Sequence, residues 1–462
     1  MMSKIKGILL LPALLLASGM LQAKVEMPFI FGDNMVLQQQ AHVAIWGTAT
    51  GKKVTITASW SREKTVTNPD EDGHWFTRIP TPSAGGPYDL CISDGEKTVF
   101  HNVMVGEVWL CSGQSNMEMR LRGWPGQPVE HATDYILSAR PSVPIRLIDV
   151  DSKHPASGSW KENRPEVVAQ SSATAYFFAH KLYEILNVPI GIITADKGGS
   201  PIESWMSRAI LEHDFPSEIN EEDEDPPAAY YNSMLRPMMP YTFKGILWYQ
   251  GEDNRLRYKA YPALQARFAQ MLREEFQNQD APFYYVQIAP FIYGNPESFT
   301  SGYFYEAQQK ALELIPNSGM VPTLDLGDYH FIHPPKKMEV GNRLAMLALV
   351  NDYGLKGVNP IAPVYQSVSF EDGKAHITVE LEGRVGLIPA KVPVGGFEIA
   401  GEDQVFHPAT ATAFKNEIVV ECPEVSTPLA VRYCFRNWAP GTLFSASGLP
   451  LLPFRTDDWD NL

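Results

Sequence analysis

Ser115 closes the stretch Val108-Trp-Leu-Cys-Ser-Gly-Gln-Ser115, in which an apolar run gives way to small polar residues. Such a run reads as a short buried parallel strand ending in a turn. A serine just past it can present its hydroxyl at the C-terminal edge of a sheet, where open α/β folds hold their ligands. Taken alone, Gly113-Gln-Ser115 also fits an ordinary strand-to-loop turn. Acyl transfer needs more than a hydroxyl: a base to take its proton and donors for the oxyanion. His333 is the candidate base, in Asp325-Leu-Gly-Asp-Tyr-His-Phe-Ile-His-Pro334 between a strand and a helix. Candidate oxyanion donors stand in Asp196-Lys-Gly-Gly-Ser200 and in Trp248-Tyr-Gln-Gly-Glu-Asp-Asn254, each following an apolar run. Paired glycines let backbone N–H groups approach a bound atom closely, although a tight turn explains them equally well.

Gly113-Gln-Ser-Asn-Met117, the glycine pair 198–199, Gly251-Glu-Asp-Asn254 and His333-Pro334 occur in that order over some 220 residues. The set resembles the blocks of the SGNH hydrolases, in the branch of the sialate O-acetylesterases and related carbohydrate esterases. Asp33-Asn-Met-Val-Leu-Gln38, Gly86-Pro-Tyr-Asp-Leu90 and Gly448-Leu-Pro-Leu-Leu-Pro-Phe-Arg-Thr-Asp457 extend the resemblance over nearly the whole chain. It implies a serine esterase that needs no metal or cofactor and removes O-acetyl groups from a sugar, most simply sialic acid. Ser115 would be the nucleophile and His333 the base. The backbone N–H groups of Ser115 and Gly199 and the side-chain amide of Asn254 would form the oxyanion hole. The family commonly has an aspartate three residues before the histidine, where this chain has His330. The group that orients His333 is therefore open between Asp328, which is preferred, Asp325 and a backbone carbonyl. Gln114, Gln250, Arg120 and Trp205 stand in or beside the blocks as candidates for contacting substrate, and Arg120 or Arg122 would suit a carboxylate. Acetylated xylan is an alternative substrate. A carbohydrate-binding protein on a decayed esterase is an alternative of another class, kept open by His330.

The elements that must position these groups follow from periodicity. Residues 24–105 carry short β-branched or alternating runs separated by turn clusters, and read as a small β-sandwich. From about 106 to 356, strands alternate with helices. Helical spacing covers 173–186, 258–276, 304–314 and 337–350, and strands fall at 189–194, 243–248, 283–288 and 320–326. Repeated β-then-α order predicts a three-layer α/β/α domain around a parallel sheet. Residues 357–462 turn β-rich again, either as their own unit or packed with the N-terminal strands.

The chain has 462 residues and a formal charge of -15, with no long basic run, which argues against a nucleic-acid partner. Lys4 and Lys6 ahead of the apolar stretch 8–16 read as a secretory signal ending near Ala23, so the mature protein is expected in the periplasm or outside the cell. No other run is long enough to span a membrane. Export would permit a disulfide, and Cys422 and Cys434 are spaced to bridge neighbouring strands. No His/Asp/Glu set shows metal-ligand spacing along the chain.

Overall fold

The computed structural model describes residues 25–154, 156–381 and 386–460. The N-terminal signal segment lies outside the described residues. The N-terminal strands are β1 (Val36–Gln38), β2 (His42–Thr48), β3 (Val54–Ala58), β4 (Lys64–Thr67), β5 (His74–Pro80) and β6 (Gly85–Ser93). β2 pairs with β5, and β4, β3 and β6 form an antiparallel run that continues onto β7 (Lys97–Gly113).

β7 is the spine of the molecule. Its first half pairs with β6 and its second half enters a parallel sheet with β8 (Ile145–Asp149), β9 (Lys161–Glu162), β10 (Ile190–Asp196), β11 (Gly245–Tyr249), β12 (Phe283–Val286) and β13 (Ser318–Val321). The order is β13-β12-β11-β7-β10-β8-β9, with only β9 antiparallel. The boundary expected near residue 105 thus falls inside one strand. β7 sits between β10 and β11, at the centre of the parallel sheet.

Alternation along β7 explains the layers. Val108 and Leu110 point to the core shared with Phe268 and Leu272, whereas Trp109 and Cys111 point to the core shared with Phe177, Leu182 and Leu344. All four strand residues are fully buried, and each such large apolar side chain contributes about 1.5–3 kcal/mol relative to exposure. The helices that cover these faces are α2 (Ala173–Leu186), α3 (Tyr261–Glu275), α4 (Thr300–Leu314) and α5 (Lys337–Asn351), after a one-turn α1 (Ser115–Glu118). α2 starts on a Ser172 cap that accepts from the Ala175 amide at 3.2 Å, and stops where Asn187 adopts a left-handed conformation. α5 lies tight on α2 because Gly341 leaves space: a Cβ there would stand 2.6 Å from Phe177 Cβ. That contact fixes the depth of Lys337 at the start of α5.

Seven antiparallel strands between Val364 and Arg455 form a separate C-terminal sheet. It leans on α4, with Asn437 Oδ1 accepting from the Ser301 amide at 3.0 Å and Arg455 holding Glu306. Among the described residues no strand of it pairs with the N-terminal strands. The suggested Cys422–Cys434 bridge is corrected here: all four cysteines are free. Cys422 follows the strand Glu417–Glu421 and Cys434 follows Ala430–Tyr433, and two other strands lie between those in the sheet.

β7 ends on Gly113 at φ +146°, where a Cβ would fall 2.1 Å from the Tyr249 carbonyl oxygen. Gly113→Ala is expected to lower unfolding stability by about 2–4 kcal/mol through clash and strain. Denaturant unfolding checks it, and a change below about 0.5 kcal/mol would mean that the turn relaxes freely.

Candidate active site

The nucleophile turn is built by β11. With no side chain at Gly113 the chain bends over Tyr249, and the Gln114 amide donates to the Tyr249 carbonyl at 2.9 Å. Gln114 Oε1 accepts from the Gly251 amide at 3.0 Å. The turn is therefore tied twice to the segment leaving β11, and Ser115 opens α1 with its side chain half-buried. As the first residue of a helix, Ser115 has a backbone N–H without an acceptor among the described residues. Gly198 approaches so closely that a Cβ on it would lie 3.3 Å from Ser115 Cβ. Its amide is taken by Glu118 Oε2 at 2.6 Å, which leaves the N–H of Gly199, at φ +79°, without an acceptor among the described residues.

His333 is oriented from an unexpected direction. Its Nδ1 lies 2.7 Å from Gln127 Oε1, and its ring stands edge-on to Trp124 with centroids 4.8 Å apart. An amide oxygen can only accept, so the ring proton sits on Nδ1 and the Nε2 lone pair is free to act as a base. Trp124-Pro-Gly-Gln127 closes with paired backbone hydrogen bonds of 2.9 Å, and Gly126 has φ +75°. Proline then glycine at the central positions is the signature of a type II turn. Burial, then the charge of Lys337, lowers His333 to about 4.

Asn116 joins the two halves. Its Nδ2 donates to Glu252 Oε1 at 2.5 Å and to the Ile332 carbonyl at 3.2 Å, and its Oδ1 accepts from Lys337 Nζ. Ile332 precedes His333 and Asn116 follows Ser115, so one side chain brings the base loop to the nucleophile turn. Among the described residues, Ser115 Oγ itself has no hydrogen-bond partner.

Several assignments made from sequence are corrected. Asp328 Oδ1 caps the local turn through the His330 and Phe331 amides at 2.8 and 3.1 Å, and Asp325 forks onto Arg343, so neither orients His333. Asn254 is not among these: it is fully buried, and the Glu203 oxygens, 3.1 and 2.9 Å from its Nδ2, take one of its two N–H groups and leave the other uncommitted among the described residues. Gln250 is buried behind it, bonded to Ser200, Asn254 and Tyr261, and props the glycine loop instead of meeting substrate. Trp205 is fully buried on Trp248, with its indole N–H on Ser200 Oγ at 2.9 Å, and is core, not a sugar platform. Gln114 is a strut of the turn. Arg120 is paired with Asp149 at 2.9 Å. Gln127, Asn116, Glu252 and Lys337 were missed. Asn116 and Glu252 stand inside the Ser115 and Asn254 blocks, a Pro-Gly turn precedes Gln127, and Lys337 left no local signal.

A cleft of about 680 Å³ opens beside the nucleophile turn, not over it, lined by Glu118, Arg120, Asp149, Asp151 and Asp196. Asp196 is 5% exposed with Oδ2 unpartnered, and burial raises its carboxyl well above the usual range. At the surface near Pro335, the ligand atoms of Glu130, His131 and Glu339 lie within 4.8 Å of one another, a cluster drawn from segments far apart in sequence.

Comparison with known proteins decides the family. The model of the family described as carbohydrate esterase, sialic acid-specific acetylesterase, matches residues 105–350, just over half of the chain. The chain belongs to this family. Ester hydrolysis is accordingly its chemistry, and Ser115 and His333 both fall within the matched span. Sialate O-acetylesterase of Mus musculus is 26% identical over 91% of this chain and 92% of its own length. The Homo sapiens protein of the same name is 28% identical over 78% and 77%. The crystal structure of a carbohydrate acetylesterase from Xanthomonas citri is 33% identical, with a TM-score of 0.85, covering 94% of this chain and all of that one.

Gln127→Ala is expected to lower kcat about ten- to a hundredfold, with little change in KM, because the imidazole loses its orienting acceptor. Asp328→Ala should leave kcat within about twofold. Gln127→Glu keeps an acceptor and adds a negative charge, which favours imidazolium, so the acid limb of kcat/KM should move to higher pH. Steady-state kinetics across pH check all three, and an active Gln127→Ala beside an inactive Asp328→Ala would reverse the assignment.

Proposed function

We propose that the chain is an exported serine esterase that removes O-acetyl groups from sugar, with sialic acid as the substrate its family and relatives point to. The observation that carries the mechanism is the tether of His333 Nδ1 to Gln127 on a loop pinned beside Ser115. Ser115 Oγ attacks the acetyl carbonyl carbon while His333 Nε2 takes its proton. The N–H groups of Ser115 and Gly199 hold the oxyanion. Collapse breaks the ester bond, and His333 returns the proton to the departing sugar hydroxyl. A water then attacks the acetyl-enzyme with His333 again as base, releasing acetate and restoring Ser115. Since the base must be neutral, activity present at neutral pH is lost as pH falls through a value near 4. Export is read from the charged and apolar N-terminal residues.

The acid-lined cleft favours a second reading on the substrate. Five acids, Glu118, Asp149, Asp151, Glu166 and Asp196, line it beside three cations, Arg120, Lys153 and Lys161, and Asp149 already holds Arg120. Carboxylates accept hydrogen bonds from sugar hydroxyls and repel the carboxylate of sialic acid. A neutral acetylated polysaccharide such as xylan fits that lining better.

Acetate release from O-acetylated sialic acid and from acetylated xylan, wild type beside Ser115→Ala, tests both points. The mutant should lose about a thousandfold or more on whichever substrate the wild type hydrolyses. Release from xylan alone would sink the sialate assignment and keep the mechanism. Sugar binding by a wild type that releases no acetate would favour the decayed binding protein. Activity persisting in Ser115→Ala would remove the nucleophile.

A further inference from the structure

Lysine is almost never fully buried unless paired, yet Lys337 has 0% exposure. Its Nζ donates to Asn116 Oδ1 and stands 5.5 Å from the centroid of the Tyr249 ring. Glu252 lies on the other side of the same amide, and one of its oxygens, Oε2, is buried without a partner. No ion pair joins Lys337 to Glu252 among the described residues; Asn116 stands between them. Removing two charges from water costs several kcal/mol per ion, and well-packed apolar residues would often hold such a place more cheaply. What this arrangement adds over an apolar plug is a positive charge next to the base loop and a hydrogen bond on the residue after the nucleophile.

We infer that Lys337 is a positioning residue for the esterase reaction: through Asn116 it fixes the Ser115 turn against the His333 loop, and its charge adds to burial in keeping His333 neutral in acid. The inference rests on the roles given above to Ser115 and His333. His333 packs on Trp124 and Gln127, both uncharged, from the Pro-Gly turn, and Lys337, at the start of α5, acts on it through its charge. Lys337 is faced by Glu252 from the segment after β11 and by Tyr249 from β11. Burial lowers Lys337 to about 7, with Glu252 opposing. In the range where His333 titrates, Lys337 is therefore charged. Removing that charge favours imidazolium, and the acid limit of activity must rise.

Three variants separate charge from contact. Lys337→Met loses both, Lys337→Gln keeps a donor for Asn116 Oδ1 without charge, and Lys337→Arg keeps the charge. The acid limb of kcat/KM should move up by about one pH unit in the Met and Gln variants. The Arg variant should hold the wild-type limb within about 0.3 unit. At neutral pH, kcat should fall about tenfold in Lys337→Met and less in Lys337→Gln, with KM nearly constant. A limb that stays in place in both uncharged variants overturns the inference. Should Lys337→Met fail to fold, the Gln and Arg pair decides. The wild type also bears on it alone, since an acid limb near the free-imidazole value of about 6.5 would contradict a base held neutral by its surroundings. His333→Ala run alongside separates the two claims. An active His333→Ala would overturn the reading of the base itself, whereas an inactive one with unmoved Lys337 limbs would overturn only the role of Lys337.

Discussion

The bend at Gly113 leaves room for a hydrogen atom and nothing larger. The Tyr249 carbonyl occupies the place a side chain would take, and this is what turns β7 off the sheet at its centre. From that bend follow the helical start at Ser115, the free N–H groups at its edge and the close approach of Gly198. A strand of seventeen residues leads into it, paired with the N-terminal sheet first and the parallel sheet second. The N-terminal strands thereby brace the spine from which Ser115 projects.

The second dependence is on amides where charges might be expected. Gln127, not a carboxylate, accepts from His333, and Asn116, not a direct ion pair, separates Glu252 from Lys337. A neutral acceptor fixes the tautomer with little stabilisation of imidazolium, so His333 stays uncharged over a wide pH range, and in the proposed role it would gain little help from Gln127 when it takes the proton. A carboxylate would shift that balance the other way. The absence of an acid three residues before His333 is thus consistent with an active site whose orienting group comes from a different loop.

Much of the fold was legible because it rests on local pattern. The helix at 173–186 was read to the residue, since its apolar face and its Ser172 and Asn187 ends agree. The central strands were read from apolar runs. Ile145–Asp149 was not, because Arg146 and Asp149 break the run that marks a buried strand. Within the site, the blocks around Ser115 and His333 were legible, but membership of a block does not say which way a side chain points. Asn254, Gln250 and Trp205 stand beside the chemistry in sequence and face inward, holding the glycine loop from behind. Gln127 lies 206 residues from the histidine that it orients, and no periodicity carries that distance. Buried Lys337 was hidden for a related reason: its neighbours are brought to it only by the packing of α5 on α2.

The proposed mechanism turns on Ser115 forming a covalent bond while His333 takes its proton. Labelling with a fluorophosphonate, followed by peptide mapping by mass spectrometry, tests that step without reference to the sugar. One adduct is expected, on the peptide bearing Ser115, formed readily by the wild type and far more slowly by His333→Ala. An adduct on another residue, or an active enzyme that the reagent leaves unlabelled and uninhibited, would contradict it.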